Sequence, residues 1–384
     1  MRSIGVVTTS RADYGILRPV LERIVADDEL ELRLVVSGPH LEDRFGATHR
    51  DIERDGFDIA ARVPLPLDSD SPAAIAAATG AAVAGYGRAF ADLAPDLLVV
   101  IGDRFEMHAA AVAALPFLLP VAHLHGGELT EGAFDDALRH SITKLSHLHL
   151  VSTADHARRV LQLGEEPWRV TVSGAPALDG LLAAPPLPPA AVAARLGIDP
   201  GSPPVMVTFH APTLEPTELE HQVGELLAAL RGLDRPVVFT GTNADPGGRL
   251  IRERIASFVA EEAGTVAVEH LGTEVYVGLM AWAAVMVGNS SSGIIEAPSL
   301  GLPVVNVGTR QDGRTRAENV RDVPNNRDAI RAEVLDALRP ERRAALAGRA
   351  NPYGDGRAAA VIVDRVREVE IDDVLLRKRF VDRP

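Results

Sequence analysis

The 384-residue chain contains no cysteine, which excludes disulfides, cysteine-ligated zinc, iron–sulfur clusters and thiol catalysis. Basic residues are also scarce, since 39 Lys and Arg face 53 Asp and Glu and the formal net charge is −14. Such a chain lacks the basic face of a general nucleic-acid or anionic-membrane binder. We therefore predict no nucleic-acid partner and no membrane partner, while a local basic pocket for one small anion remains compatible with the charge.

Long apolar runs are absent as well. No stretch approaches the run of about 20 apolar residues that spans a membrane. The first residues, MRSIGVVTTSRADYG, lack the apolar core of a signal peptide. We therefore expect a soluble, cytoplasmic enzyme.

Two familiar nucleotide-binding motifs are missing. The segment GTNADPGGR, residues 241–249, lacks the Lys and the hydroxyl residue that complete a Walker loop, and no G-x-G-x-x-G follows the first apolar run. These absences count against kinases and against dehydrogenases that use NAD or FAD. We predict that the protein needs no cofactor.

Short apolar runs alternate with longer amphipathic stretches, which is typical of parallel sheets built from βαβ units. Strands are predicted at Ser3–Thr9, Leu30–Val36, Leu97–Ile101, Pro120–Leu124, Val205–Phe209, Val237–Thr240, Val266–Val268, Val285–Val287 and Val304–Val307. Helices are predicted at Ile16–Ala26, Pro72–Leu93, Phe105–Leu115, Leu219–Leu230, Arg249–Glu262, Tyr276–Ala283 and Ala358–Val369.

The alternation lapses at Leu182–Pro189, where the prolines of LAAPPLPP indicate a semi-rigid linker. The predicted fold class is α/β, with two Rossmann-like domains whose parallel sheets face each other across a cleft. We predict that the domains are residues 1–182 and 190–357. A C-terminal helix within residues 358–384 is expected to cross back to the first domain.

The segment VMVGNSSSGIIEAPSLGLP has the pattern of a phosphate-binding turn. Ser290, Ser291 and Ser292 follow a predicted strand and precede a predicted helix, whose free N–H groups attract an anion. Glu296, expected in the first turns of that helix, could accept hydrogen bonds from a ribose diol. The alternative is an ordinary capped helix with a structural glutamate.

Arginines stand directly after other predicted strands. Arg11 follows the first strand and could chelate a diphosphate, although it could equally pair with Asp13 at the surface. Arg310 and Arg314 repeat the pattern in the second half of the chain. Together they predict a positive pocket in an acidic protein.

Carboxylates collect at the predicted strand ends of the first half. Asp103 follows one strand, Glu128 follows the next, and Asp135 opens a helix. Several carboxylates near an anion are costly unless they perform acid/base or cation-stabilising work. Helix capping is the alternative for Asp135, and a solvated loop is the alternative for Glu128.

Histidines offer a weaker signal. The pairs His123/His125 and His147/His149 lack a metal-ligand spacing such as H-E-x-x-H, so no metal site is predicted. His210 ends a strand of the second half and is a candidate to enter the cleft, although a lone histidine there is more often structural.

Seven motifs together resemble the hydrolysing UDP-N-acetylglucosamine 2-epimerases of sialic-acid and legionaminic-acid biosynthesis. In chain order they are SRADYG, GDRFEM, HLHGGELTEG, FDDALRHSITKLSHLHL, GNSSSGIIEAPSLG, GTRQDGR and NPYGDGRAA, which span nearly the whole chain. Three positions depart from the usual family pattern, namely Thr9, Ala211 and Thr242. They line the predicted cleft, so they bear on the identity of the sugar more than on the reaction.

The resemblance implies two Rossmann-like domains as in the GT-B glycosyltransferases, a UDP-sugar substrate and a homodimer or tetramer. It also assigns the site. The catalytic positions are Asp103, Glu128, Asp135 and His210. The substrate-binding positions are Arg11, Asn243, Ser291, Ser292, Glu296 and Arg310.

The implied reaction is elimination of UDP from a UDP-2-acetamido sugar, most simply UDP-N-acetylglucosamine, followed by hydration of the glycal with inversion at C2. The product would be a free sugar of the N-acetylmannosamine type. Four alternatives stay open: a substrate with a second acetamido group at C4, a non-hydrolysing epimerase, a glycosyltransferase of the same architecture, and a non-catalytic nucleotide-sugar sensor.

Overall fold

The computed structural model describes residues 1–69, 71–212, 214–242 and 247–382. The strands in this part of the chain are β1 Arg2–Thr8, β2 Leu30–Ser37, β3 Ile59–Val63, β4 Leu97–Ile101, β5 Val121–Leu124, β6 Leu148–Val151, β7 Val170–Val172, β8 Val205–Thr208, β9 Val237–Thr240, β10 Thr265–Val268, β11 Val285–Gly288, β12 Val304–Val307 and β13 Val320–Val323.

Helices connect almost every strand to the next. They are α1 Arg11–Val25, α2 His49–Arg54, α3 Pro72–Leu93, α4 Phe105–Ala114, α5 Asp135–Leu145, α6 Ala154–Gln162, α7 Ala177–Leu182, α8 Pro189–Leu196, α9 Leu219–Leu230, α10 Gly248–Glu261, α11 Thr273–Trp282, α12 Ser292–Ile295, α13 Arg327–Ala337, α14 Pro340–Ala344, α15 Ala358–Glu368 and α16 Asp373–Leu376.

The strands form two separate sheets in which every neighbouring pair is parallel. The first sheet has seven strands in the order β3-β2-β1-β4-β5-β6-β7, and the second has six in the order β10-β9-β8-β11-β12-β13. Central strands such as β4 and β8 are buried along their whole length, which explains their continuous apolar sequences. Both sheets have the doubly wound order of a Rossmann-like domain. The predicted α/β class is confirmed.

The chain divides into two compact units. Unit 1 comprises Met1–Glu128, Asp135–Leu182 and Tyr353–Pro384. Unit 2 comprises Leu129–Phe134 and Ala183–Pro352. Six residues directly after Glu128 belong to unit 2 although the residues on both sides of them belong to unit 1.

The C-terminal residues of unit 1 hold one end of α5. Nζ of Lys378 donates to the carbonyl oxygens of Lys144 and Ser146 over 2.9 and 2.6 Å. It also forms an ion pair with the buried Glu165 over 2.9 Å. Burial opposes the ionisation of Glu165, but hydrogen bonds from His149 and the two lysines prevail and lower its pKa to about 2. The helix that begins at Asp135 is therefore anchored at its far end.

Among the described residues, no helix combines the length and apolar character needed to cross a membrane.

Candidate active site

In unit 1 the strand order reverses between β1 and β4, which are paired although β2 and β3 lie between them in the chain. Ligands of open parallel sheets bind at the carboxyl ends of the strands beside such a reversal. Arg11 is the first residue of the helix after β1, and Asp103 is the second residue after β4. The structure therefore places both residues at the switch point of unit 1.

Arg139 organises the carboxylates of this region, although it is not among the site residues predicted from the sequence. Its side chain is 2% exposed, and its Nη2 donates to Oδ2 of Asp103. Nη1 donates to the carbonyl oxygen of His125 over 3.0 Å and lies 3.9 Å from Oε2 of Glu128. One buried guanidinium thus reduces the repulsion between two neighbouring carboxylates.

Glu128 is itself almost fully buried, at 1% exposure, and is surrounded by donors. Nδ1 of His125 lies 2.6 Å from its Oε1, and Oγ of Ser152 donates to the same oxygen over 3.1 Å. The loop reaches this position through Gly127, which has φ of 75° and whose Cβ, if present, would lie 2.4 Å from the carbonyl oxygen of His156. The Glu128 carboxylate is therefore held in one orientation, as an acid/base group requires.

Asp135 is the first residue of α5, one turn before Arg139 on the same helix. Residues four apart share a helix face, and the free N–H groups of a helix start favour a carboxylate. The structure thus brings Asp103 and Glu128 to one guanidinium. It places Asp135 on the face of the helix that carries this guanidinium.

A second buried arginine–carboxylate cluster lies beside the first. Nη2 and Nε of Arg104 donate to the Glu106 carboxylate over 3.0 and 3.2 Å, and Glu106 is fully buried. Burial raises the pKa of Glu106 and of Asp13, and the positive charge of Arg104 opposes both shifts. The sequence suggests Arg11 as the partner of Asp13, whereas in the structure the charge that acts on Asp13 is that of Arg104. The spacing of Arg104 and Glu106, two residues apart at the start of α4, is the sequence feature that could have predicted this ion pair.

The histidines of β5 and β6 are buried and have hydrogen-bond partners within the protein. Burial lowers the pKa of His123 to about 3, and its Nε2 lies 2.8 Å from the carbonyl oxygen of Gly102. His149 is fully buried with its Nε2 2.9 Å from Glu165. In the part of the chain that the structure describes, no group of three or more His, Cys, Asp or Glu side chains could hold a metal ion.

Unit 2 has its own switch point between β8 and β11. His210 follows β8, and its backbone N–H donates to Oδ1 of Asn289 over 2.7 Å. Nδ2 of Asn289 donates back to the carbonyl oxygen of His210 over 2.9 Å. This reciprocal amide pair fixes the loop after β8 to the loop after β11.

His210 is neutral in this setting. Its side chain is buried, and burial together with the charge of Arg310 lowers its pKa well below the ordinary value. Nδ1 of His210 lies 3.3 Å from Oγ1 of Thr242. The imidazole can therefore offer a ligand a hydrogen bond but no positive charge.

Ser290 and Ser291 lie in the turn between β11 and α12, and Ser292 is the first residue of α12. The turn starts from Gly288, which has φ of 129° and lies so close to β8 that a Cβ would be 2.0 Å from the carbonyl oxygen of Thr208. Only glycine fits this position.

The helix α12 is a single turn, and Glu296 follows its last residue instead of lying within a longer helix. Burial raises the pKa of Glu296, against a hydrogen bond from Ser292 that lowers it. Tyr276 of α11, which sequence inspection missed, lies close to the same group. Its pKa is raised by burial and by the negative charge of Glu296.

The loop after β12 supports this turn from the other side. Nη1 of Arg310 and Nε2 of Gln311 donate to the carbonyl oxygen of Asn289 over 3.2 and 2.8 Å. The predicted residues His210, Ser291, Ser292, Glu296 and Arg310 thus belong to adjoining loops of unit 2. Asn243 lies outside the described residues.

Residues 22–367 match the family described as UDP-N-acetylglucosamine 2-epimerase. The chain is 35% identical to the UDP-N,N'-diacetylbacillosamine 2-epimerase (hydrolyzing) of Legionella pneumophila, over 98% of this chain and 99% of that protein. The chain belongs to the UDP-N-acetylglucosamine 2-epimerase family. It is also 36% identical to the GDP/UDP-N,N'-diacetylbacillosamine 2-epimerase (hydrolyzing) of Campylobacter jejuni, over 84% of each.

A solved member of the family has the same fold. The UDP-GlcNAc 2-epimerase of Neisseria meningitidis, in a crystal structure with UDP-GlcNAc bound, superposes with a TM-score of 0.81. The match covers 95% of this chain and 99% of that chain at 19% sequence identity. At that identity the comparison establishes the fold, and it agrees with the two Rossmann-like sheets described above.

Proposed function

We propose that the protein is a hydrolysing 2-epimerase that converts a UDP-linked 2-acetamido sugar into UDP and the free C2 epimer. The observation that carries this proposal is the arrangement of Asp103 and Glu128 around the buried guanidinium of Arg139. Two carboxyl groups at one guanidinium and a helix-start Asp135 suit a reaction that moves protons at carbon and passes through positive charge on a sugar. The names of the relatives at 35–36% identity support the hydrolysing reaction.

The proposed sugar carries acetamido groups at both C2 and C4. Two relatives that align with most of the chain are named for N,N'-diacetylbacillosamine, which favours this substrate class. UDP-N-acetylglucosamine is the second candidate, because it gives the family its name. The departures at Thr9, Ala211 and Thr242 fall in loops at strand ends, where they can affect the choice of sugar.

The first half-reaction is elimination. The C2 proton has no neighbouring carbonyl to acidify it, so cleavage of the C1–O bond must run ahead and give C1 oxocarbenium character. The bonding pair leaves with UDP, a carboxylate of unit 1 accepts the C2 proton, and a C1=C2 double bond remains. Asp103, Glu128 and Asp135 share the two tasks of stabilising the cation and accepting the proton.

The second half-reaction is hydration. Water adds its hydroxyl group to C1 and gives its remaining proton to a carboxylate of unit 1. A carboxylic acid protonates C2 on the face opposite to the one that lost its proton, which inverts that centre. In unit 2, Ser291 and Ser292 bind phosphate and Glu296 accepts hydrogen bonds from the ribose. In the same unit, Arg310 balances the diphosphate charge, and the neutral His210 donates a hydrogen bond to it.

The test is a product assay with two substrates. Purified protein is incubated with a UDP-2,4-diacetamido sugar and with UDP-N-acetylglucosamine in D2O, and proton and phosphorus NMR follow the products. We expect one free UDP per free C2 epimer, with one deuterium at C2. Recovery of UDP-linked epimers alone would identify a non-hydrolysing epimerase. Consumption that requires an added acceptor would identify a glycosyltransferase.

Replacing Glu296 with alanine should weaken UDP binding by about tenfold, because a carboxylate–hydroxyl hydrogen bond is lost. The value of kcat should change little, since Glu296 belongs to the unit without the three carboxylates. Isothermal titration with UDP measures the first effect and steady-state kinetics the second. Glu274→Ala, an exposed glutamate on α11, is the control. Unchanged UDP affinity in the Glu296 variant would remove this residue from the site.

A further inference from the structure

Six residues connect two of the proposed catalytic carboxylates. Glu128 ends one segment of unit 1 and Asp135 begins the next, while Leu129–Phe134 between them is part of unit 2. We call these six residues the strap. Any displacement of the strap must move the backbone at both of its ends, because each end is one peptide bond from a carboxylate residue.

The strap packs on the loop after β12 through backbone and side-chain hydrogen bonds. The backbone N–H of Glu131 donates to the carbonyl oxygen of Asp312 over 3.2 Å. Nη2 of Arg314 donates to Oγ1 of Thr130 over 3.3 Å, and Thr130 is 3% exposed. The strap is therefore packed against other residues of unit 2 and is not a solvated loop.

Two glycines let the strap and this loop meet at backbone distance. A Cβ on Gly132 would lie 2.7 Å from both Cα of Arg310 and the carbonyl oxygen of Thr309. A Cβ on Gly313 would lie 2.7 Å from Cβ of Leu129. Real Cβ atoms do not approach so closely, and backbone cannot give way as a flexible side chain can. At Gly132 the backbone of the strap therefore contacts the backbone of Thr309 and Arg310 directly.

The same loop also supports the phosphate-binding turn. Arg310 and Gln311 both donate to the carbonyl oxygen of Asn289, which directly precedes Ser290. A continuous chain of contacts therefore runs from the turn, through residues 309–314, to the strap. Its last links are the peptide bonds to Glu128 and Asp135.

We propose that the strap is a positioning element that couples diphosphate binding in unit 2 to the placement of Glu128 and Asp135. This inference rests on the proposed function, since it assigns a diphosphate to the turn and acid/base work to the carboxylates. A bound diphosphate fixes Arg310 and with it the strap, so the carboxylates reach their working positions when the nucleotide is bound. Gly132 and Thr130 are the residues that make the coupling.

The decisive variant is Gly132→Ala. The φ of Gly132 is not in the left-handed region, so alanine there is unfavourable because of space and not because of backbone angle. We expect kcat to fall about tenfold or more, because small misplacements of acid/base groups are expensive, while the KM for the UDP-sugar and the Kd for UDP stay within about threefold. Gly224→Ala, in a helix of the same unit with nothing within 4 Å, should match the wild type.

Thr130→Val is the milder companion, since it removes only the hydroxyl that accepts from Arg314. This variant should lower kcat about threefold. Thermal melting will show whether Gly132→Ala folds, and if it does not, Thr130→Val still tests the proposal. A raised KM with unchanged kcat in both variants would overturn the proposal and make the strap a binding surface only.

Hydrogen exchange tests the coupling without turnover. UDP should slow amide exchange in peptides covering residues 129–140 of the wild type, and this protection should be lost in Gly132→Ala although UDP still binds. Equal exchange with and without UDP in the wild type would overturn the coupling. Failure of the wild type to release UDP from any UDP-sugar would instead overturn the proposed function, and the exchange result would stand separately.

Discussion

Replacing Asp103 with asparagine should lower kcat by about 10²-fold or more while KM for the UDP-sugar changes little. The carboxylate stands at the switch point of unit 1 and accepts a hydrogen bond from Arg139. Asparagine keeps the size and can still accept that bond. It loses the charge that would stabilise the oxocarbenium ion and the basicity that would accept a proton. Steady-state release of UDP measures the effect.

Asp96→Asn is the matched control for this substitution. Asp96 directly precedes β4, whereas Asp103 follows it, so the two aspartates lie at opposite ends of one strand. Oδ2 of Asp96 accepts from the backbone N–H of Ser3 over 2.7 Å, a bond that an asparagine oxygen preserves. The control should keep wild-type kcat. A raised KM with full kcat in Asp103→Asn would show that Asp103 binds the sugar and does not take part in the chemistry.

The central strands and the longer helices were predictable from sequence because burial leaves a strong pattern. The ranges predicted for β4, β9, β12, α3 and α9 agree with the structure residue for residue. Each of these strands is apolar or nearly so, and proline and serine mark the start of α3. Asp103 follows the predicted β4 by two residues, so its place at the carboxyl end of that strand was also predictable from the sequence.

The strands that sequence inspection missed lie mostly toward the sheet edges. β3 and β13 are edge strands with the sequences IAARV and VRDV, and β7 is a three-residue edge strand with an exposed valine. An edge strand buries one side only, so polar residues can occupy it and the apolar signal disappears. The first helix was predicted too late, at Ile16, because its first turn is polar and is capped by Ser10.

The candidate carboxylates could be proposed from sequence, but the groups that hold them could not. Arg139, Glu106 and Tyr276 lie inside helices, where a charged or polar residue normally faces solvent. Only tertiary structure shows that Arg139 and Glu106 are buried and that Arg139 contacts Asp103. A pattern of residue types along a chain carries no information about which helix face a distant carboxylate meets.

Replacing Arg139 with methionine should abolish turnover and lower the free energy of unfolding by about 3 kcal/mol, since it leaves buried negative charge without its partner. Methionine retains much of the side-chain volume and removes the guanidinium that contacts Asp103 and lies 3.9 Å from Glu128. Urea denaturation followed by circular dichroism measures the loss. Arg158→Met, which breaks an exposed pair with Asp155 on α6, should cost less than about 0.5 kcal/mol.

The double variant Asp103→Asn/Arg139→Met separates charge from packing. If the cost of losing Arg139 is electrostatic, removing one of the two facing carboxylates should restore about 1 kcal/mol relative to Arg139→Met alone. Turnover should stay lost, because the double variant lacks Asp103 as well. A double variant less stable than Arg139→Met would show that Arg139 acts on stability through its packing and hydrogen bonds to the backbone of His125. In that case the packing of Arg139 and its hydrogen bond to the backbone, and not its positive charge, would determine the positions of the carboxylates in the proposed acid/base site.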